Sequence, residues 1–278
     1  MSGIIWLASY PKSGNTWLRA LLTNALQPIE RPANINTLLG VPVASSRKLF
    51  DDWSGLKSSD LTCDEIEHAR PLVYEALARS TSRRLFIKTH DAFTLSAKGE
   101  PLFPLAATSA VIYVVRHPAD VAQSYAHHRG CSEDEAVKLL ADDSHTLAAS
   151  GEVGVEGQLP QRLLSWSGHV SSWLDSPHRV HCVKYEDLHK DAEGNLRRIL
   201  EFLGEDVAES KIARAVQSAS FAEMRRQEAE RGFFEAPSNT RTFFRSGKIA
   251  SRKFLKSKNL RSMEVTHGTT IRRIWGPK

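Results

Sequence analysis

Lys12, Ser13, Asn15 and Thr16 crowd around Gly14 in the segment Ser9-Tyr10-Pro11-Lys12-Ser13-Gly14-Asn15-Thr16-Trp17. Each of the four carries a side-chain donor that can meet an anion. The apolar run Ile4-Ile5-Trp6-Leu7-Ala8 precedes them, and Trp17-Leu18-Arg19-Ala20-Leu21-Leu22 follows. A strand, a tight glycine turn and a helix start make an anion cradle, because backbone N–H groups point outward there and the helix dipole favours negative charge. The segment is not a Walker A loop, which needs a second glycine followed directly by Lys and Ser/Thr. Here the lysine precedes the only glycine, and the usual Mg²⁺-binding arrangement is missing.

Other polar residues stand just after apolar runs. Arg116 follows Ala110-Val111-Ile112-Tyr113-Val114-Val115, and Ser124 comes eight residues later, about two helical turns on. A planar guanidinium suits bidentate phosphate binding. Lys88-Thr89-His90 ends the run Arg84-Leu85-Phe86-Ile87, and strand alternation puts Lys88 and His90 on one side. Imidazole titrates near neutrality, as a general base requires.

The elements that must hold these residues alternate. Strands are predicted over 3–9, 84–90, 110–115 and 179–185. Helices are predicted over 16–26, 64–80, from Pro118 onward, and over 160–175, 192–203, 206–217, 219–229 and 260–275. The pattern predicts an α/β fold, a single P-loop-like domain over residues 1–278 with a central parallel β-sheet flanked by helices. Ligands of such sheets bind beyond the carboxyl ends of the strands. Residues 28–60 read as loop with short helical pieces. Residues 130–158, polar and glycine-containing, and residues 230–258 read as mobile segments.

Tyr10-Pro11-Lys12-Ser13-Gly14-Asn15-Thr16-Trp17 closely resembles the 5′-phosphosulfate loop of sulfotransferases that use 3′-phosphoadenosine 5′-phosphosulfate (PAPS). Arg116 and Ser124 match the pair that holds the 3′-phosphate in that family. Lys88-Thr89-His90 resembles the family element whose histidine takes the acceptor's proton, with Lys88 near the transferred group. Tyr185-Glu186-Asp187-Leu188 resembles a further signature, with Tyr185 near the adenine and Glu186 and Asp187 capping the next helix. Trp17 and Phe221, in Ser220-Phe221 with Met224, match aromatic residues of the adenine pocket. Arg245, Ser246 and Gly247 fall on an Arg-Lys-Gly element that wraps the 3′-phosphate; Ser246 departs from its lysine, and Lys248 or Arg252 could compensate.

The resemblance implies transfer of a sulfuryl group from PAPS, without a metal, to a hydroxyl of a small-molecule acceptor such as a phenol or alcohol. His90 would be the base, and Lys12, helped by Lys88, would stabilise the leaving phosphate. Lys12, Ser13, Gly14, Asn15, Thr16, Trp17, Arg116, Ser124, Tyr185, Phe221, Arg245, Ser246 and Gly247 would hold the nucleotide. The alternatives are a P-loop kinase or NTPase, which needs an acidic strand end for Mg²⁺, and a nucleotide-binding module without activity.

Composition narrows the rest. The 278 residues are 41% hydrophobic and 25% charged, with a net charge of +5, as expected for a globular chain with an anionic ligand. The basic residues form no long block, so no nucleic-acid partner is expected. Cys63, Cys131 and Cys182 are odd in number and widely spaced, and no apolar window reaches membrane-spanning length. A cytoplasmic location without a membrane partner is the default expectation, and the oligomeric state is not readable.

Overall fold

The computed structural model describes residues 3–148, 157–236, 242–245, 247, 249 and 255–276. β1 (Gly3–Ser9) runs through a short turn into α1 (Asn15–Leu26). α2 (Arg47–Ser54), one 3-10 turn (Ser58–Asp60) and α3 (Cys63–Arg79) precede β2 (Arg84–Thr89). β3 (Thr108–Val115) leads to α4 (Pro118–Arg129) and α5 (Glu133–Ala141). Two short strands, β4 (Thr146–Leu147) and β5 (Gln161–Arg162), are followed by α6 (Trp166–Leu174) and β6 (Val180–Lys184). The chain closes with α7 (Tyr185–Lys190), α8 (Ala192–Leu203), α9 (Glu209–Ser218), α10 (Phe221–Arg231) and α11 (Ser257–Trp275).

The central sheet is parallel, in the order β2-β1-β3-β6. β1 pairs with β2 in register from Gly3 opposite Arg84 to Ala8 opposite Thr89. Every residue of β1 is buried, which is why its sequence is continuously apolar and not alternating. The expected α/β architecture is the observed one.

By internal contacts the chain forms two compact units. The first comprises Met1–Tyr10, Gly40–Tyr113 and Asp142–Cys182; the second comprises Pro11–Leu39, Val114–Ala141 and Val183–Lys278. In the first unit the Trp6 ring meets Tyr74 and Phe103 edge-on at 5.0 and 4.8 Å, and its Nε1–H donates to Thr108 Oγ1 at 2.9 Å. A reciprocal capping box between Thr62 and Glu65 starts α3. In the second unit α1 packs on α9, and Leu18, Leu21 and Leu22 of α1 are buried.

Three expectations change. Residues 133–141 form α5, whose first turn is Glu133-Asp134-Glu135 and whose buried face is Ala136, Val137 and Leu140. The stretch 160–175 opens as β5 and becomes helical only at Trp166, where Ser165 accepts from Gly168 N. Tyr185–Lys190 is a helix in its own right. The segments 130–158 and 230–258 each include residues outside those described. Among the described residues no helix is long and apolar enough to cross a membrane.

Candidate active site

In the second unit the turn after β1 passes through Lys12, φ +69°, and Gly14, φ +104°. Left-handed φ suits glycine and is uncommon for lysine. Gly14 caps α1 without a side-chain hydrogen bond, as suits a helix start that faces an anion. Ser13 is buried, and its Oγ has no hydrogen-bond partner among the described residues. A buried hydroxyl left unpaired costs about 1–3 kcal/mol; an oxyanion in the turn would satisfy it. Asn15 and Thr16 are buried in the first turn of α1.

Tyr185 lies against this turn. A methyl group at Gly14 would come within 2.5 Å of the Tyr185 ring. Gly14→Ala is therefore expected to lose about 1–3 kcal/mol of stability, from the left-handed φ and the clash together, which a urea titration against wild type would measure. Trp17 meets the same ring edge-on at 5.7 Å. The Arg116 guanidinium lies 4.4 Å over it and donates from Nη1 to the Lys12 carbonyl at 3.2 Å. Tyr185 in turn donates its hydroxyl to the Gly247 carbonyl at 3.3 Å. Gly247, φ +60°, sits flat on Phe221, where a Cβ would be 2.5 Å from the ring.

The structure thus gathers Lys12, Gly14, Trp17, Arg116, Tyr185, Phe221 and Gly247. Ser124 is half-buried on α4, and no hydrogen bond among the described residues joins it to Arg116. Arg245 is exposed. Ser246, Lys248 and Arg252 lie outside the described residues. Three features carry no sequence signal. The Lys12 ammonium sits 3.8 Å over the Phe243 ring, and the Glu228 carboxylate accepts from the Phe243 and Phe244 amides. His189 packs on Trp17 and Tyr185 at 5.0 and 4.8 Å.

Glu186 and Asp187 do not cap the next helix; Asp191 does, accepting from Gly194 N at 2.8 Å. Because Tyr185 already begins a helix, Glu186 is turned the other way and accepts from the His117 amide at 3.0 Å, bracing the residue after Arg116. Burial raises the pKa of its carboxyl. Asp187 pairs with Lys184 and Lys190 at 3.1 and 3.6 Å.

Two histidines report the local field. Burial and then the charges of Arg245 and Lys12 push the His127 pKa down. Burial and then Arg116 do the same at His189. Burial disfavours the imidazolium whatever the sign of its neighbours; the smaller contributions from Arg245, Lys12 and Arg116 are those of nearby positive charge.

In the first unit, His90 follows the last residue of β2. Its Nδ1–H donates to the Ser9 carbonyl at 2.8 Å, with Ser9 Oγ at 3.4 Å. That bond places the proton on Nδ1 and makes Nε2 the lone-pair nitrogen of the neutral ring. Lys88 is half-buried two residues earlier, with its amide donating to the Gly40 carbonyl at 3.2 Å and its carbonyl accepting from Ala44 N at 2.8 Å.

The residues flanking His90 are held by a buried ion pair. Arg70 donates from Nη1 and Nη2 to the two oxygens of Asp91 at 3.0 and 2.7 Å, from Nη1 to the Pro160 carbonyl at 3.2 Å, and from Nε to Tyr74 Oη at 3.0 Å. The Thr89 hydroxyl donates to Asp91 at 3.2 Å, and Trp173 Nε1 donates to the Asp91 carbonyl at 3.0 Å. Burial alone would lower the Arg70 pKa, but the Asp91 charge overrides it and the guanidinium stays ionised. Burial pushes the Tyr74 phenol up to about 12, so it remains a donor, here to the Ala44 carbonyl at 3.0 Å.

The chain thus has a parallel α/β sheet with a glycine turn and a helix start after its first strand and an arginine after its third. Residues 3–262 match the profile of the sulfotransferase domain, and the chain belongs to that family. It is 29% identical over 224 residues to sulfotransferase 1A1 of Bos taurus, covering 79% of this chain and 65% of that protein. It is 26% identical over 263 residues to flavonol 4′-sulfotransferase of Flaveria chlorifolia, covering 88% and 71% respectively. The chain thus spans just under two thirds of the length of the bovine relative. Its fold is that of mouse sulfotransferase SULT7A1, solved with PAP, at a TM-score of 0.61 and 24% identity over 97% of this chain and 84% of that one. Retinol dehydratase, solved with retinol and PAP, gives 0.62 and 20% over 97% and 81%.

Proposed function

We propose that this chain is a PAPS-dependent sulfotransferase that moves a sulfuryl group to the hydroxyl of a small-molecule acceptor, a phenol or alcohol. The acceptor oxygen forms a bond to sulfur, the bond from sulfur to the 5′-phosphate oxygen breaks, and the hydroxyl proton goes to a base. The products are a sulfate ester and adenosine 3′,5′-bisphosphate. The turn Lys12–Thr16 carries this reading: an uncapped helix start with a buried, unpartnered hydroxyl, in a field set by Lys12, Arg116 and Arg245.

In this reading PAPS supplies the activated sulfate. The main-chain amides of the turn, Ser13, Asn15 and Thr16 take the 5′ end of the nucleotide, and Lys12 offsets the charge that grows on the leaving phosphate. Arg116, already fixed by the Tyr185 ring and the Lys12 carbonyl, takes the 3′-phosphate with Ser124, Arg245, Ser246 and Gly247. Trp17, Tyr185 and Phe221 give the base its stacking surfaces, worth about 1–3 kcal/mol per base. His90 takes the acceptor proton on Nε2, with Lys88 as an additional cation for the transferred group. In the sequence Lys12 lies three residues after Ser9, the residue that orients His90.

The relatives named for sulfotransfer, one of them to a flavonol, support the phenol or alcohol class. The three cysteines are free thiols, which supports a cytoplasmic site of action. The reading is tested by incubating the chain with radiolabelled PAPS and a panel of phenols and aliphatic alcohols. Labelled ester is expected with at least one acceptor, and none when Lys12→Ala replaces the wild type.

A further inference from the structure

His90 stands where the strand ladder stops. The pairing of β1 with β2 ends at Ala8 opposite Thr89, one residue before His90. The His90 carbonyl is met by His169 of α6, whose Nε2–H donates to it at 3.0 Å. His169 is itself fully buried and oriented from behind: the Tyr113 hydroxyl of β3 donates to its Nδ1 at 2.8 Å. The Tyr10 ring stands edge-on to it at 5.4 Å. The chain Tyr113 hydroxyl, His169 imidazole, His90 carbonyl admits one tautomer, with Nδ1 accepting and Nε2 donating.

We infer that His169 is a positioning residue for the base: through the carbonyl of His90 it fixes the backbone from which that imidazole is aimed. The inference rests on the reading of His90 as the base. The bond from Nδ1 to Ser9 holds the ring, and the bond from His169 holds the main chain that carries it. Burial drops the His169 pKa to about 4, so it is neutral at working pH and keeps its single donor. Burial likewise raises the Tyr113 phenol well above its ordinary value, so that hydroxyl keeps the proton it donates. A displacement of about 1 Å in a reacting group can lower a rate about a hundredfold.

The test compares His169→Leu, His169→Gln and His169→Asn with wild type and with His90→Ala, reading kcat, the KM for PAPS and the affinity for adenosine 3′,5′-bisphosphate. Gln places an amide N–H where the imidazole Nε2–H was; Asn is one methylene too short. The expected result is a kcat about 10- to 100-fold lower in the Leu and Asn variants, near wild type in Gln, with nucleotide affinity unchanged in all three. Equal kcat in Gln and Asn, or wild-type kcat in Leu, overturns the inference. Those results leave the reading of His90 intact as long as His90→Ala is inactive, and a fully active His90→Ala removes that reading first. Should the Leu variant fail to fold, the Gln and Asn pair decides alone.

Discussion

His90→Ala is expected to lower kcat for sulfuryl transfer by about 10²–10⁴-fold, the range for a lost general base, while adenosine 3′,5′-bisphosphate binds as before. The nucleotide ligands proposed above belong to the turn after β1 and to the second unit, so deleting the imidazole leaves them in place. His90 is half-buried, and its Nδ1 is committed to the Ser9 carbonyl. Its other nitrogen is then the acceptor of the neutral ring, as proton removal requires. His90→Gln is expected to be nearly as slow, because an amide keeps a donor toward Ser9 and supplies no basic nitrogen. Stopped-flow or radiolabel assays at saturating PAPS would measure both. An Ala variant within about threefold of wild type would show that the proton leaves by another route.

The second large effect is on stability. Arg70→Ala or Asp91→Ala is expected to cost about 3–5 kcal/mol, because each leaves one charge buried without its partner. The pair is enclosed, with Arg70 3% and Asp91 0% exposed, and it is bidentate. An exposed pair such as Lys48–Asp52 is screened by water, so its removal is a fair control. The double variant Arg70→Met, Asp91→Leu removes both charges and is expected to be more stable than either single variant. Urea unfolding with all four proteins reads the comparison. Single variants within about 1 kcal/mol of wild type would mean that water reaches the pair. Since Asp91 also holds Thr89, the single variants should lose activity along with stability.

The turn after β1 was readable because three local signals coincide there: a fully buried strand, a glycine that must turn left-handed, and a helix start. Arg116 was readable for the same reason, as a charged residue directly after an apolar strand. The sheet followed from four such runs separated by helical patterns. Elements with weak local signals were not. α5 is nine residues opening on three acids; the burial of Ala136, Val137 and Leu140 and the reciprocal cap between Ser132 and Glu135 make it a helix. β4 and β5 have two residues each and are strands only because they pair.

The supports of the site were hidden for a different reason. Arg70 and Asp91 are 21 residues apart, and His169 and His90 are 79 apart. Nothing in local sequence marks a charged or titratable residue as buried; that follows from how α3, α6 and the strands come together. Glu186 was misassigned because Tyr185–Lys190 is a separate short helix ahead of the one that Asp191 caps. The Lys12–Phe243 contact depends on a loop more than 200 residues away in sequence.

Calorimetric titration of the purified chain with adenosine 3′,5′-bisphosphate, beside Arg116→Ala and Lys12→Ala, decides whether the turn after β1 clasps this nucleotide. One site per chain is expected, with a dissociation constant of about micromolar or tighter and binding at least about tenfold weaker in each variant. No heat of binding with wild type, or equal binding by all three proteins, would contradict the nucleotide site on which the proposed reaction stands.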